Sequence, residues 1–228
     1  MNQHEVIKKY IEGLTQDLAT SLLIVGKTGT GKTELTIETL KKMGYQQGIH
    51  YRYVSNYISP VELFNLLRVV NDLQPPKLLI LDDLENTLQS SRAVGLLRTA
   101  LWEVDGQRKV NWFSNTYLVK EREFKFEGKI IFLLNHLNLK SAIVKALKDR
   151  ALYLELDLSL NEMLELMSKR AEMPYRNIPT EKRREIFQFI KRSAKNGDKI
   201  TLRTLPKIFN LFLLSPNHYK VLAEQQIL

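Results

Sequence analysis

The chain has no cysteine among its 228 residues, so it has neither a disulfide framework nor a thiolate to serve as nucleophile or metal ligand. Long apolar runs are missing too. The stretches at 22–25, 78–81, 130–134 and 211–214 fall far short of the roughly 20 residues that a helix needs to cross a bilayer. No apolar segment follows the charges of the first ten residues, so the start does not read as a secretion signal and the expected location is the cytoplasm. Only four histidines occur, His4, His50, His136 and His218, too far apart in sequence to support a structural metal site. Glycine is sparse, ten residues in all, yet Gly26, Gly29 and Gly31 stand within six positions of one another.

The remaining composition, 44% hydrophobic and 26% charged, is that of a folded chain with a real core. Charge is unevenly placed. Of the formal +9, residues 140–228 carry +7 and the first 139 only +2. A basic surface of this kind attracts polyanions, nucleic acid above all, although a solubilising helical face has the same composition.

Apolar spacing predicts an entry helix over 6–14, a strand over 21–25, a helix over 32–42 ending at Gly44, and a strand over 51–55. Ser59 and Pro60 open a helix to about Asn71, and Pro75 and Pro76 precede "KLLILDD", apolar on both faces and therefore a central parallel strand. A helix over 91–104, two β-rich runs "KVNWFS" and "EFKFEG", the strand "KIIFLLN", a helix over 141–149 and the strand "ALYLEL" follow. Strands alternating with helices predict a parallel sheet covered on both faces, an α/β fold. After Ser159 the pattern is helical throughout, with segments at 160–171, 180–194, 202–213 and 218–227. The expected organisation is a nucleotide-binding α/β domain at 1–158, with a hairpin insertion at about 107–129, and a basic helical lid domain at 159–228.

The glycines lie in "IVGKTGTGKTEL", between the first predicted strand and the helix after it. Gly26, four residues (Lys27, Thr28, Gly29, Thr30), then Gly31, Lys32 and Thr33 make a phosphate-binding loop. Glycines let the backbone wrap a phosphate chain so that successive N–H groups and the helix N-terminus face negative charge. Lys32 would reach the β- and γ-phosphates of ATP, and the Thr33 hydroxyl would ligate Mg2+. The second element is "LLILDD": Asp82 and Asp83 stand at the carboxyl end of a core strand, the edge where open α/β sheets bind ligands. Asp82 would hold Mg2+ through water and Asp83 would orient or deprotonate the attacking water; Glu85 is a weaker candidate for that water, and helix capping is the alternative use of the aspartates.

The succession of phosphate loop, "LLILDD", "IIFLLN", "LKDR" and a helical domain containing "TLRTL" resembles the AAA+ ATPases from about Leu14 to the end. The resemblance implies a P-loop NTPase sheet with a small C-terminal helical lid, Mg-dependent ATP hydrolysis, and three further roles. Asn135 matches the first sensor, which holds the water. Arg150 matches the arginine finger that serves a neighbouring subunit, with Lys148 as its nearest rival, and Arg203 matches the second sensor. A turn residue in the first case, and surface charge in the other two, are the plain alternatives. An arginine finger implies a homo-oligomeric ring or spiral, commonly of six. The chain departs from the usual pattern in carrying Asp-Asp where most members have Asp-Glu, which shortens the reach to water by more than about 1 Å.

The segment "GQRKVNWFSNTYLVKEREFKFEGK" resembles the hairpin that viral helicases and related mobile-element proteins project into a central pore. Lys109, Lys120, Arg122, Lys125 and Lys129 could contact DNA phosphates, while Trp112, Phe113 and Tyr117 could stack on bases or pack the ribbon down. Tyr57 and Ile58 could form a second pore loop. The leading expectation is a DNA-acting ATPase of a phage or mobile element, working in the host cytoplasm as a replication helicase, a helicase loader or a transposition-type regulator with an unknown protein partner. A protein remodeller and an ATP-gated scaffold with slow hydrolysis are the alternatives.

Overall fold

The computed structural model describes residues 3–114, 118–119, 121–136, 145, 147–194 and 200–227. In chain order the elements are α1 (Gln3–Thr15), β1 (Ser21–Gly26), α2 (Lys32–Lys42), β2 (Tyr51–Ser55), α3 (Pro60–Asn71), β3 (Leu78–Asp82), α4 (Ser91–Leu101), β4 (Lys109–Asn111), β5 (Glu123–Lys125), β6 (Lys129–Leu134) and β7 (Leu152–Leu156). Four helices follow, α5 (Leu160–Glu172), α6 (Thr180–Ser193), α7 (Thr204–Leu214) and α8 (Tyr219–Ile227). The expected helix over 141–149 falls largely outside the described residues.

Five strands form one parallel sheet in the order β2-β3-β6-β1-β7. The order follows from burial: β1, β3 and β6 are buried at every position and lie inside, whereas β2 and β7 are partly exposed and form the edges. Alternation within each inner strand serves two layers. Leu23 and Val25 of β1, Leu79 and Leu81 of β3, and Ile130 and Phe132 of β6 share a core with Leu63, Phe64 and Leu67 of α3 and with Leu97 and Ala100 of α4. Leu22 and Ile24, equally buried, point to the opposite layer, where α1 packs on α2. Each such side chain contributes about 1.5–3 kcal/mol on burial. Ser59 caps α3 in a reciprocal capping box with Glu62, ahead of Pro60 in the first turn.

Between α4 and β6 the chain is more irregular than its pattern suggests. Helix α4 stops at Leu101 because residues 104–107 form a tight two-residue turn: Val104 and Gln107 exchange backbone hydrogen bonds of 2.9 and 3.0 Å across Asp105 and Gly106, both at positive φ. The antiparallel hairpin is shorter than expected, three residues a side, pairing Lys109 with Lys125, Val110 with Phe124 and Asn111 with Glu123. It is pinned along α3: Asn65 donates to the Leu118 carbonyl (3.1 Å), Arg68 pairs with Glu121 (2.9 Å), and Asn71 donates to the Lys125 carbonyl (2.6 Å) while accepting from the Glu127 N–H (2.9 Å).

Contact density divides the chain into two units, Met1–Lys27 with Lys32–Leu156, and Thr28–Gly31 with Asp157–Leu228. In the second, α5 to α8 enclose Met167, Ile186, Ile190, Leu205, Ile208 and Phe209. Ser159 opens α5 with a second capping box, to Glu162. The buried Arg183 guanidinium donates to the carbonyls of Ala171 (2.9 Å), Glu172 (3.3 Å) and Ile178, satisfying the end of α5 from within α6. Also within this unit, the Leu202 N–H donates to the Gly29 carbonyl at 3.0 Å.

Candidate functional site

The register of the sheet brings the site together. Asp82 lies opposite Leu133 and Val25 opposite Leu134, so Gly26, Asp82, Asp83 and Asn135 all leave the carboxyl edge of neighbouring inner strands at the same level. Gly26 is required by β7, since a Cβ there would sit 2.4 Å from the Leu156 carbonyl oxygen. Gly29 and Gly31 are required by their backbone, with φ of 82° and 85° in the left-handed region. Lys27 and Thr28 are exposed and Thr30 is buried.

Lys32 begins α2 and is only 5% exposed. Its ammonium donates to the carbonyls of Gly26 (2.5 Å) and Lys27 (3.1 Å) and to Asn135 Oδ1 (3.2 Å). A buried ammonium beside a glycine-lined loop fits an incoming phosphate chain. The Thr33 hydroxyl donates to Asp82 Oδ2 at 2.7 Å, which joins the two expected magnesium residues directly. A hydroxyl and one carboxylate fit Mg2+, which keeps waters and takes its other oxygens from nucleotide phosphates. Among the described residues no group of three or more His, Cys, Asp and Glu could hold a metal by itself.

Asp83 has φ of 54°, and its N–H donates to the Leu133 carbonyl at 3.0 Å. That turn aims its carboxylate at Asn135, whose Nδ2 donates to Asp83 Oδ1 at 2.6 Å. Glu85 accepts the Asn135 N–H at 2.7 Å, so it fixes the Asn135 backbone. Asn135 thus bridges Lys32 and Asp83, and beside this group stands a second, the Thr33–Asp82 pair.

Arg150 lies apart from both. Arg150 precedes β7, and its carbonyl accepts from the Ser21 hydroxyl (3.3 Å) at the opposite end of β1 from the phosphate loop. Its guanidinium lies over the Trp102 ring, 4.4 Å from the centroid, and lines a cleft of about 900 Å³ with Arg98, Trp102 and Lys109. Lys148, the rival, lies over the Tyr153 ring at 3.8 Å. Arg203 is exposed in the turn before α7, inside the helix expected from residue 202 but one residue ahead of the observed start at Thr204.

Several hairpin expectations need correction. Of the two uses expected for the aromatics, Trp112 takes the packing one, partly buried on Phe64 with centroids 5.7 Å apart, whereas Phe113 is 89% exposed. Lys129 is buried against Asp17 (2.7 Å) and donates to the Pro76 carbonyl (3.3 Å), which takes it away from any phosphate. Ile58 is buried, so a pore loop of Tyr57 and Ile58 does not form as a pair. Lys109, Arg122 and Lys125 are exposed, whereas Tyr117 and Lys120 lie outside the described residues. Tyr53 and Trp102 were missed. Tyr53 donates to Asp82 Oδ2 at 2.7 Å, a contact that depends on strand order and leaves no local signal.

Fold and site geometry together define the class: this is an α/β P-loop NTPase fold, a parallel five-stranded sheet between helices with a phosphate-binding loop after β1. No protein-family model matches the chain. It is similar in structure to two variants of Thermotoga maritima RuvB, with TM-scores of 0.59 and 0.60, 16% identity, and coverage of 97–98% of this chain and 68–69% of RuvB. At that identity the likeness is one of fold. In sequence it is similar to an uncharacterised 36.7 kDa protein of enterobacteria phage T4, encoded in the nrdC-mobD intergenic region, at 26% identity over 220 residues. The match covers 89% of this chain and 66% of the phage protein, so the chain spans just under two thirds of that relative. Among the described residues no helix is long and apolar enough to cross a membrane.

Proposed function

We propose that the chain binds ATP with Mg2+, hydrolyses it, and assembles with copies of itself into a ring or spiral that acts on DNA. The observation that carries the nucleotide reading is the hydrogen-bonded set at the strand edge: Lys32 to Asn135, Asn135 to Asp83, and Thr33 to Asp82. In this reading Lys32 and the loop N–H groups take the phosphates. Thr33 and Asp82 hold Mg2+, which neutralises charge on the phosphates. Asp83 and Asn135 position the attacking water, and Arg203 contacts the γ-phosphate.

Arg150 acts on the nucleotide of a neighbouring copy. Along β1, from Ser21 to Gly26, the site lies about 17 Å from the Arg150 end of the strand, beyond the reach of an arginine side chain. DNA is the favoured substrate because the excess charge, the exposed Lys109, Arg122 and Lys125, and the exposed Phe113 suit a phosphate backbone and its bases. The phage relative supports an origin in a phage or mobile element, and within the DNA reading the role is one in replication or transposition.

The test is steady-state ATP turnover across a range of protein concentrations, alone and with single- or double-stranded DNA at low salt. Turnover that rises cooperatively with protein and is stimulated by DNA is expected. Turnover indifferent to DNA removes the DNA reading and favours a protein substrate. Nucleotide binding without turnover favours a scaffold, in which the short Asp83 side chain stays bound to Asn135.

A further inference from the structure

Strand β2 is an edge strand, and Tyr53 lies in register with Ile80 of β3. Side chains two residues apart on a strand share a face, so Asp82 is the diagonal neighbour of Tyr53 on that face, at a spacing an aromatic ring spans. The phenol reaches Asp82 Oδ2 at 2.7 Å, and the Thr33 hydroxyl reaches the same oxygen at 2.7 Å. Asp82 itself is 4% exposed. Two donors from two different elements therefore converge on one oxygen of a buried carboxylate. Packing alone does not ask for this: phenylalanine would fill the same edge position, and only the hydroxyl makes the bond.

We propose that Tyr53 is a positioning residue for magnesium, orienting the Asp82 carboxylate from the side opposite the phosphate loop. The proposal rests on the Mg-ATP reading of Thr33 and Asp82. With Oδ2 held by Tyr53 and Thr33, the rotation of the carboxylate is set, and Asp82 would meet the ion in that fixed orientation. Thr33 would offer an oxygen lone pair to the metal while its hydrogen stays on Asp82, and the Tyr53 bond would hold that carboxylate in place. Partners of this kind commonly govern metal affinity as strongly as the ligands' own geometry does.

The experiment is fluorescence titration of the full chain with mant-ATP, in EDTA and at graded Mg2+, for the wild type, Tyr53→Phe, Asp82→Asn and the double variant, with thermal melts to verify folding. Tyr53→Phe is expected to bind mant-ATP in EDTA as the wild type does. It should need about 10-fold more Mg2+ for half of the metal-dependent gain in affinity, the lower end of the 10- to 100-fold losses seen when partners of metal ligands are removed. In the Asp82→Asn background it should add nothing, because its effect passes through that carboxylate. An unchanged Mg2+ requirement overturns the proposal. So does an equal loss with and without metal, which marks a packing role, or an additive double variant. If the wild type gains no affinity from Mg2+, the magnesium reading fails along with the proposal; if only the wild type and Tyr53→Phe coincide, that reading stands and Tyr53 is excluded.

Discussion

Mixing two inactive variants tests whether each site is shared between two chains. Arg150 is fixed at the start of β7 by its backbone contact to Ser21, five residues before Gly26. At about 3.3 Å per residue the strand separates them by about 17 Å. An arginine side chain spans roughly 7 Å from its Cα, leaving a gap of about 10 Å to the chain's own phosphate loop. Arg150→Ala should therefore leave ATP binding intact and lower turnover by about 10³- to 10⁵-fold, as loss of an arginine finger does elsewhere. Lys32→Ala should abolish turnover by removing the phosphate contact itself. In a random equal mixture, a competent interface pairs the Lys32 of an Arg150→Ala chain with the Arg150 of a Lys32→Ala neighbour, and about a quarter of head-to-tail interfaces meet that condition. The mixture should regain about a quarter of wild-type turnover per site, several orders of magnitude above either variant alone. A coupled phosphate-release assay at a total concentration that saturates assembly measures it. Action within one chain predicts no recovery on mixing, and that result, or full activity in Arg150→Ala alone, refutes the shared site.

Gly26→Ala should destabilise the sheet, because its Cβ would lie 2.4 Å from the Leu156 carbonyl oxygen and force β1 and β7 apart by about 1 Å. Overpacking of that kind costs about 1–3 kcal/mol, and each kcal/mol lowers Tm by about 2–4 °C in a chain of this size, so a melt indistinguishable from wild type contradicts the β7 contact. Lys109→Ala and Lys125→Ala should each reduce the slope of log affinity for DNA against log salt by about 1 without altering ATP binding; unchanged slopes remove these exposed lysines from the interface.

The sheet was readable because its inner strands are buried on both faces. Continuous apolar runs such as "LLIV" and "IIFLL" have no other place in a fold of this size, and the strand β2 was found over 51–55 as expected. The region after α4 misled for reasons that are local. Alternating apolar residues continue through Trp112 and Phe126, but the ladder ends at these two, whose N–H groups donate to the Arg122 and Arg108 carbonyls at 2.7 Å; beyond the three paired residues a side, Trp112 packs on Phe64 and Phe126 carries the Arg108 guanidinium 5.2 Å from its centroid. Period two cannot distinguish a strand from a loop whose side chains are anchored one by one. The early end of α4, by contrast, was signalled: Asp105-Gly106 is a tight-turn pair with both residues at positive φ, and a helix cannot run through it.

For the site the division is by how many elements must be ordered before a residue acquires its role. Lys32 and Thr33 are defined by their spacing from Gly26 along one loop, and Asp82 and Asp83 by the end of one strand; each can be assigned before the sheet order is known. Asn135 needed the family resemblance, since its bonds to Lys32 and Asp83 exist only because β6 lies between β1 and β3. Tyr53 needed more: the choice of β3 as partner for β2, the register that sets it opposite Ile80, and the lean of a ring along the strand. Trp102 reaches Arg150 across nearly fifty residues, by a ring contact that no spacing rule describes. Residues proposed to act on the nucleotide directly are bound to a local backbone shape and leave a motif. Those that orient them are bound only to a side-chain atom, and many sequences could deliver a hydroxyl to Asp82 Oδ2 from another position on that face.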